Sequence, residues 1–331
     1  MSTRRPQGRA DRARRAWRAV TAGDVDLTAT VGSLVLPNPV MTASGTSGHA
    51  DELQAYFPLE ELGAVVVKSL SAEPWPGNPA PRVHATTAGG MLNSVGLQGP
   101  GVKAWLDDGL PRLNAVGARV VASIWGQRVD DFARAATMLA GAPGVVAVEI
   151  NVSCPNIEDR RRMFAHSPAA TAEVVAAVGE HCPGLTRWAK LSPTVADVAE
   201  VAGAALTAGA EGVTLVNTVL AMAIDVEQRR PVLGSGPNGG GLSGPAIHPL
   251  AVRAVFDVRE AHPTAAIIGV GGVTAAEDAV ELVLAGANAV QVGTATFRDP
   301  RAPLNVVRGL ERWCSSRGIR RLSELVGAAH G

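Results

Sequence analysis

Cys154 is the residue whose type and setting speak most directly of chemistry. It stands in Asn151-Val-Ser-Cys-Pro-Asn156, just past an apolar run, with an amide side chain to either side. Pro155 keeps the residue before it extended and bars a helix there, so the thiol belongs to a turn. A free thiol has a pKa of about 8.5, which leaves a small thiolate fraction at neutral pH. That suffices for a general base beside a carbon-bound proton. An unpaired Cys is most often a small buried apolar residue, and Cys182 and Cys314, near the ends of helical stretches, keep that structural reading. Lys68 and Lys190 each close an apolar run, AVVVKS (64–69) and TRWAKLS (186–192), where an ammonium rarely lies for structural reasons. Ser44, Ser123, Asn151, Ser153, Asn217, Gly271-Gly272 and Gly293-Thr294 occupy equivalent places at the ends of other runs. Buried singly, such groups would each cost free energy. Gathered together they imply a polar ligand. Strand capping accounts for a few of the hydroxyls and amides, but not for two lysines. The Gly pairs at 271–272 and 293 suit a phosphate, because glycine lets backbone N–H groups approach closely. Thr294 adds a hydroxyl, and the helix expected to follow offers its N-terminus.

The runs that must position these residues number eight: PVMTAS (39–44), AVVVKS (64–69), RVVASI (119–124), VVAVEINVS (145–153), TRWAKLS (186–192), GVTLVN (212–217), AIIGVGG (266–272) and AVQVGT (289–294). Most are apolar on both faces, as parallel strands buried under helices should be. Ala-rich stretches at 129–141, 168–181, 195–208, 245–261 and 274–285 read as the intervening helices. Pro168, Thr194 and Thr274 before Glu277 are start signals. This alternation predicts an α/β fold, a closed TIM (β/α)8 barrel whose chemistry lies at the C-terminal strand ends. The competing fold, an open doubly wound sheet, requires Gly-x-Gly-x-x-Gly after the first strand; Ser44-Gly-Thr-Ser-Gly48 lacks that spacing. Segments 70–101 and 218–244 are too long for simple connections and read as long βα loops over the catalytic face. Residues 24–38 alternate apolar and polar around Gly32-Ser33, predicting an N-terminal β-hairpin that plugs the barrel bottom.

Composition narrows the function classes. Thirty basic residues balance thirty acidic ones among 331, which gives no reason to expect nucleic acid or an anionic membrane as partner. Residues 1–20 hold seven Arg against one acid, Asp11. Residues 1–23 are expected to be a solvated, disordered tail; a docking arm and an organelle-targeting segment are the alternatives. Residues 24–331 read as one barrel domain. Three Cys without a Cys-x-x-Cys pair argue against a disulfide framework, an intrinsic iron–sulfur cluster or structural zinc, and for a reducing, cytoplasmic compartment. The seven His show no ligand spacing, so no metal is expected and no His is given a role. No apolar run is long enough to span a membrane.

Ten segments in order resemble the class 1 dihydroorotate dehydrogenases: NPVMTASGTSG (38–48), VVVKSLS (65–71), GNPAPRV (77–83), MLNSVGLQ (91–98), VEINVSCPNI (148–157), AKLSPTV (189–195), LVNTVLAMAIDVEQRRPVLG (215–234), GGLSGPAIHPLAVR (240–253), IIGVGGV (267–273) and AVQVGTATF (289–297). The segment 215–234 is most similar to the NAD-linked 1B branch. The resemblance implies an FMN-binding oxidoreductase of pyrimidine biosynthesis that takes a proton from C5 and a hydride from C6 of (S)-dihydroorotate. It implies that Cys154 is the base and that Lys68 touches both flavin and substrate. Lys190 would stand at the flavin N1–O2 edge, where a cation favours reduction. Asn93, Ser94, Val95, Gly96, Leu97, Asn151, Asn156, Asn217 and Thr218 would hold the substrate. Ser44, Ser69, Ser123, Asn151, Val216, Gly244, Gly271, Gly272, Gly293 and Thr294 would line the FMN, the last four at its phosphate. It further implies a homodimer, and in the 1B branch a heterotetramer with a reductase subunit carrying FAD and a [2Fe–2S] cluster.

The chain also departs from the pattern. Ser123 stands where an Asn is usual, Gly99 replaces an Asn, Arg160 to Arg162 replace a Gly-rich stretch, and 234–241 is lengthened. These departures leave open an FMN-dependent dihydropyrimidine oxidoreductase with another pyrimidine substrate. Strand-borne lysines also permit a Schiff-base lyase, and a flavin-binding protein without catalysis is a further alternative.

Overall fold

In the computed structural model, which describes residues 21, 24–86, 89–154 and 163–331, the eight runs become eight parallel strands. They are β1 (Val40–Thr42), β2 (Val65–Val66), β3 (Val120–Ile124), β4 (Val145–Asn151), β5 (Thr186–Lys190), β6 (Gly212–Leu215), β7 (Ile267–Val270) and β8 (Ala289–Val292). All are shorter than the runs that predicted them, and β2 is only two residues long. Pairing follows chain order from β2 through β8 to β1, and a Met41–Ala64 bridge closes the ring. The helices are α1 (Val102–Asp107), α2 (Gly109–Ala115), α3 (Val129–Leu139), α4 (Pro168–His181), α5 (Val198–Thr207), α6 (His248–Ala261), α7 (Ala276–Ala285), α8 (Ala295–Arg298) and α9 (Ala302–Ser316).

Two helix starts differ from expectation, for a capping reason. Asp197, not Thr194, accepts the N–H groups of Ala199 and Glu200 and starts α5. The Asp278 carboxylate accepts the N–H and hydroxyl of Thr274 and the N–H of Ala275, so α7 begins at Ala276. A carboxylate is an acceptor only and complements the N-terminal dipole. At α4, Pro168 does occupy the first turn, with the Ser167 hydroxyl accepting from Ala170.

Period-two alternation explains how the barrel changes character along its axis. Met41, Val66, Val121, Ala147, Trp188, Ile268 and Ala289 form one buried apolar cluster with Val31 and Leu36. Two residues further along the same strands stand Lys68, Ser123, Glu149, Lys190 and Gln291. The interior is therefore apolar below and polar above, and the polar layer faces the C-terminal strand ends.

The N-terminal hairpin (Ala29–Val31 paired with Leu34–Leu36) forms as expected. Val31 and Leu36 are fully buried in the lower cluster. The N–H of Ser33 bonds the Glu211 carboxylate and its hydroxyl bonds Thr186, both at the lower ends of strands. The hairpin closes the barrel bottom.

The two long segments are not irregular loops. Val83–Ala85 and Met91–Asn93 from the first, with Val219–Ala221 and Gly240–Ser243 from the second, make a four-stranded antiparallel sheet. It carries Asn93, and the turn after Asn93 carries Ser94 to Leu97. The tail expected at 1–23 lies outside the described residues except for Thr21. So do Asn156 and Arg160 to Arg162. Among the described residues, no helix is long and apolar enough to cross a membrane.

Candidate active site

The strand ends are tied by one hydrogen-bonded network. The Ser69 hydroxyl lies 3.1 Å from that of Ser44 and 2.9 Å from that of Ser123, and it accepts from Asn151 Nδ2 at 3.3 Å. Asn151 Oδ1 accepts from Asn217 Nδ2 and from the N–H of Ser153, each at 3.2 Å. Asn217 Oδ1 accepts from the N–H of Thr218. Seven residues singled out in the sequence thus meet through these contacts: Ser44, Ser69, Ser123, Asn151, Ser153, Asn217 and Thr218. Ser123, in place of the usual Asn, is fully buried with its hydroxyl on Ser69.

Below this rim lies a polar cluster that the sequence reading missed. Glu149 is fully buried. Its Oε2 accepts from Gln291 Nε2 at 2.6 Å and from the Thr214 hydroxyl at 3.1 Å. Its Oε1 lies 3.5 Å from the ammonium of Lys190, itself 5 % exposed. Lys190 also donates to Gln291 Oε1 at 3.4 Å. Glu149 shares the face of Asn151, two residues on. A carboxylate inside an apolar strand was the available signal, as strong as the lysines.

Lys68 differs. Among the described residues, no carboxylate lies within ion-pair distance of it. Burial, and then the nearby Arg82 guanidinium, hold its pKa below the usual lysine range. A half-buried cation without a counter-ion is a site for a ligand anion or developing negative charge. The neighbouring His49 is likewise held low, by burial and then by Lys68, and its Nε2 is buried without a hydrogen-bond partner.

Residues 94–97 form the turn that follows the roof strand ending at Asn93. Gly96 and Leu97 both have positive φ, 73° and 60°. A Cβ on Gly96 would lie 2.5 Å from Asn78. The N–H groups of Val95, Gly96 and Leu97 donate to no protein acceptor among the described residues. Asn93 Nδ2 bonds the Gly241 carbonyl, joining the two halves of the roof. Arg82 folds the segment on itself, donating to the carbonyls of Asn78 and Pro76 and to Gln98.

Cys154 lies where the rim meets β4, but it is fully buried. Its thiol donates to the carbonyls of Gly126, at 3.0 Å, and Asn151, at 3.1 Å. Burial, with a smaller contribution from the Asp131 carboxylate, pushes the thiol up to about 12. The sequence-based expectation of a few per cent thiolate does not hold in this geometry. At pH 7 the thiol in this geometry is almost wholly protonated.

On the far side, Gly244, Gly271 and Gly272 have φ of 94°, 142° and 71°. A Cβ on Gly244 would lie 3.0 Å from Gly90 and 3.5 Å from Thr294. Thr294 Oγ1 donates to Ser243 Oγ at 2.7 Å. The N–H groups of Gly272, Gly293 and Thr294 donate to no protein acceptor among the described residues. The helix after β8 is α8, only four residues long, so the glycine amides, not a helix dipole, make the cradle. Val216 is buried between it and the rim residue Asn217, its N–H on the Val270 carbonyl. These observations fit a phosphate-bearing flavin. The cradle would take the phosphate, and Lys68 and Lys190 would supply cations to the ring. Among the described residues, no group of His, Cys, Asp and Glu suits a metal ion.

The family model described as dihydroorotate dehydrogenase matches residues 26–313. The catalytic subunit of dihydroorotate dehydrogenase B (NAD(+)) from Desulforudis audaxviator is 49 % identical over 300 residues, covering 91 % of this chain and 96 % of that protein. The proteins of the same name from Trichlorobacter lovleyi and Pelobacter propionicus are 46 % and 45 % identical, over 91 % and 92 % of this chain and 97 % and 98 % of theirs.

Proposed function

The chain belongs to the dihydroorotate dehydrogenase family, and from that premise we propose that it oxidises (S)-dihydroorotate to orotate in pyrimidine biosynthesis, with FMN as cofactor. Bound FMN supplies the acceptor for the hydride that leaves C6. The chain's own residues do the rest. The amides of Asn93, Asn151 and Asn217 and the hydroxyl of Thr218 match a pyrimidinedione, which alternates donors and acceptors. Lys68, lacking a counter-ion, and the free N–H groups of residues 95–97 face the anionic end of the substrate. The thiolate of Cys154 removes the C5 proton as the C5–C6 double bond forms. Lys190, held by Glu149 and Gln291, keeps positive charge where reduction builds negative charge.

The observation that carries this reading is Asn151. It joins Ser69 and Asn217 across the rim, and its carbonyl holds the thiol of Cys154. Base, amides and flavin-facing hydroxyls therefore share one anchor. The test is an anaerobic spectrum of the purified protein before and after dihydroorotate. The flavin band should bleach, and it should fail to bleach in Cys154→Ala at neutral pH. A yellow protein that dihydroorotate leaves unchanged would reject the substrate. A colourless protein that FMN cannot reconstitute would reject the cofactor.

We propose further that the chain works in the cytoplasm as a homodimer paired with a reductase subunit carrying FAD and a [2Fe–2S] cluster, passing electrons to NAD. The relatives' naming as catalytic subunits supports a second subunit. The three Cys here are buried and unpaired, so the cluster belongs to that partner. One observation favours a second substrate reading. A side chain at Gly99 would meet the unpartnered Nε2 of His49 at 3.3 Å, so the lid here differs beside Lys68. Turnover of dihydrouracil or dihydrothymine faster than dihydroorotate would establish that reading.

A further inference from the structure

The glycine turn of the cradle has a side chain behind it. His248, the first residue of α6, places Nδ1 2.8 Å from the Gly271 carbonyl oxygen and Nε2 3.2 Å from a Glu281 carboxylate oxygen. Its side chain is 12 % exposed. A carbonyl only accepts, so Nδ1 donates to it. The contact is close on the backbone side as well. A Cβ on Gly272 would lie 2.6 Å from His248 Cβ and 3.1 Å from the Gly244 carbonyl oxygen. Imidazole, Gly271-Gly272 and Gly244 are one packed unit.

The consequence follows from peptide geometry. In a trans peptide the C=O of one residue and the N–H of the next point in opposite directions. With the Gly271 carbonyl drawn back onto His248, the Gly272 N–H is aimed away from it, into the cradle. Two adjacent glycines at positive φ place little steric restraint on that peptide. Left alone, it could turn over and present a carbonyl oxygen to the anion instead. The imidazole supplies the restraint the glycines lack, and Glu281 holds the imidazole.

We infer that His248 is a positioning residue for the phosphate of the flavin, acting through the Gly271–Gly272 peptide and not by touching the ligand. The inference rests on reading the cradle as the phosphate grip. It is tested by titrating the full chain, stripped of flavin, with FMN and with riboflavin, which lacks the phosphate, and following flavin fluorescence. Wild type should bind FMN more tightly than riboflavin. His248→Ala should weaken FMN about tenfold, as expected for one lost buried hydrogen bond, and leave riboflavin unchanged. His248→Gln, whose amide can donate to the same carbonyl, should recover most of the loss. Should the alanine variant not fold, His248→Phe, which keeps the volume without a donor, carries the same expectation. Unchanged FMN affinity, or equal losses for both flavins, would overturn the role of His248. Equal affinity of wild type for the two flavins would instead reject the phosphate grip itself.

Discussion

Cys154 illustrates how a residue can be correctly singled out while its state is misjudged. Its type, and a position just past a strand, were legible in the chain. Its burial was not, because that depends on Gly126, twenty-eight residues away. A thiol raised to about 12 makes two predictions. First, the rate of flavin reduction by dihydroorotate should climb with pH through the whole range below about 12, without the plateau near pH 9 that an ordinary thiol would give. Stopped-flow reduction from pH 6 to about 10 reads this; a plateau at the ordinary thiol value would reject the buried state as the reactive one. Second, the sign of the linkage is set. The folded pKa lies above the unfolded one, so burial of the neutral thiol stabilises fully below pH 9 and that contribution is lost between 9 and about 12. The melting temperature of wild type should fall more steeply over that interval than that of Cys154→Ala. Glu149 makes a different case. It lies in an apolar run as the lysines do and faces Lys190 inside the barrel. Glu149→Leu would leave an unpaired buried ammonium, at a cost of about 3–5 kcal/mol, and adding Lys190→Met should return most of it. Denaturant unfolding of the two single variants and the double closes that cycle; additive losses would mean the two groups do not sense each other.

Among the elements, the barrel strands announced themselves because burial on both faces leaves unbroken Val, Ala and Ile runs. The roof sheet gave no such signal. Its strands are three or four residues long, lie among Gly and Pro, and pair across more than a hundred residues: Asn93 with Gly241. Short exposed strands such as Val83–Ala85 have neither alternation nor length to read. What shapes the roof is Arg82, whose guanidinium gathers Pro76, Asn78 and Gln98 and whose carbonyl accepts from the N–H of Ser94, holding the turn with the N–H groups of residues 95–97 free. Trp75, from the same segment, packs edge-on against Trp125 at 5.6 Å and pins it to the rim. Arg82→Ala should therefore raise KM for dihydroorotate by about tenfold or more, in line with loss of two or three charge-assisted bonds in a binding loop. The melting temperature should hardly move, because the roof lies outside the main core. Steady-state kinetics beside a melting curve separates the two; a fall in stability with KM unchanged would show that Arg82 serves the fold and not the loop.

At the scale of the whole molecule the barrel divides its labour along its axis. The lower layer is apolar and closed by the hairpin; the upper layer is polar and carries Lys68, Ser123, Glu149, Lys190 and Gln291. This division follows from period two: Ala147, Glu149 and Asn151 share one face of β4 and pass from core to counter-ion to rim within five residues. It makes stability and activity separable. Leu36, fully buried in the plug, packs within the lower apolar cluster. Leu36→Ala should cost about 2–5 kcal/mol, the transfer free energy plus the cavity left behind. At low temperature, where the variant remains folded, kcat and KM should stay at wild-type values. If the plug instead steadies the polar layer through Trp188, which sits two residues below Lys190 on β5, activity would fall together with stability, and flavin affinity with it. Urea unfolding set beside kinetics at low temperature distinguishes a plug that only holds the barrel shut from one that also supports the site above it.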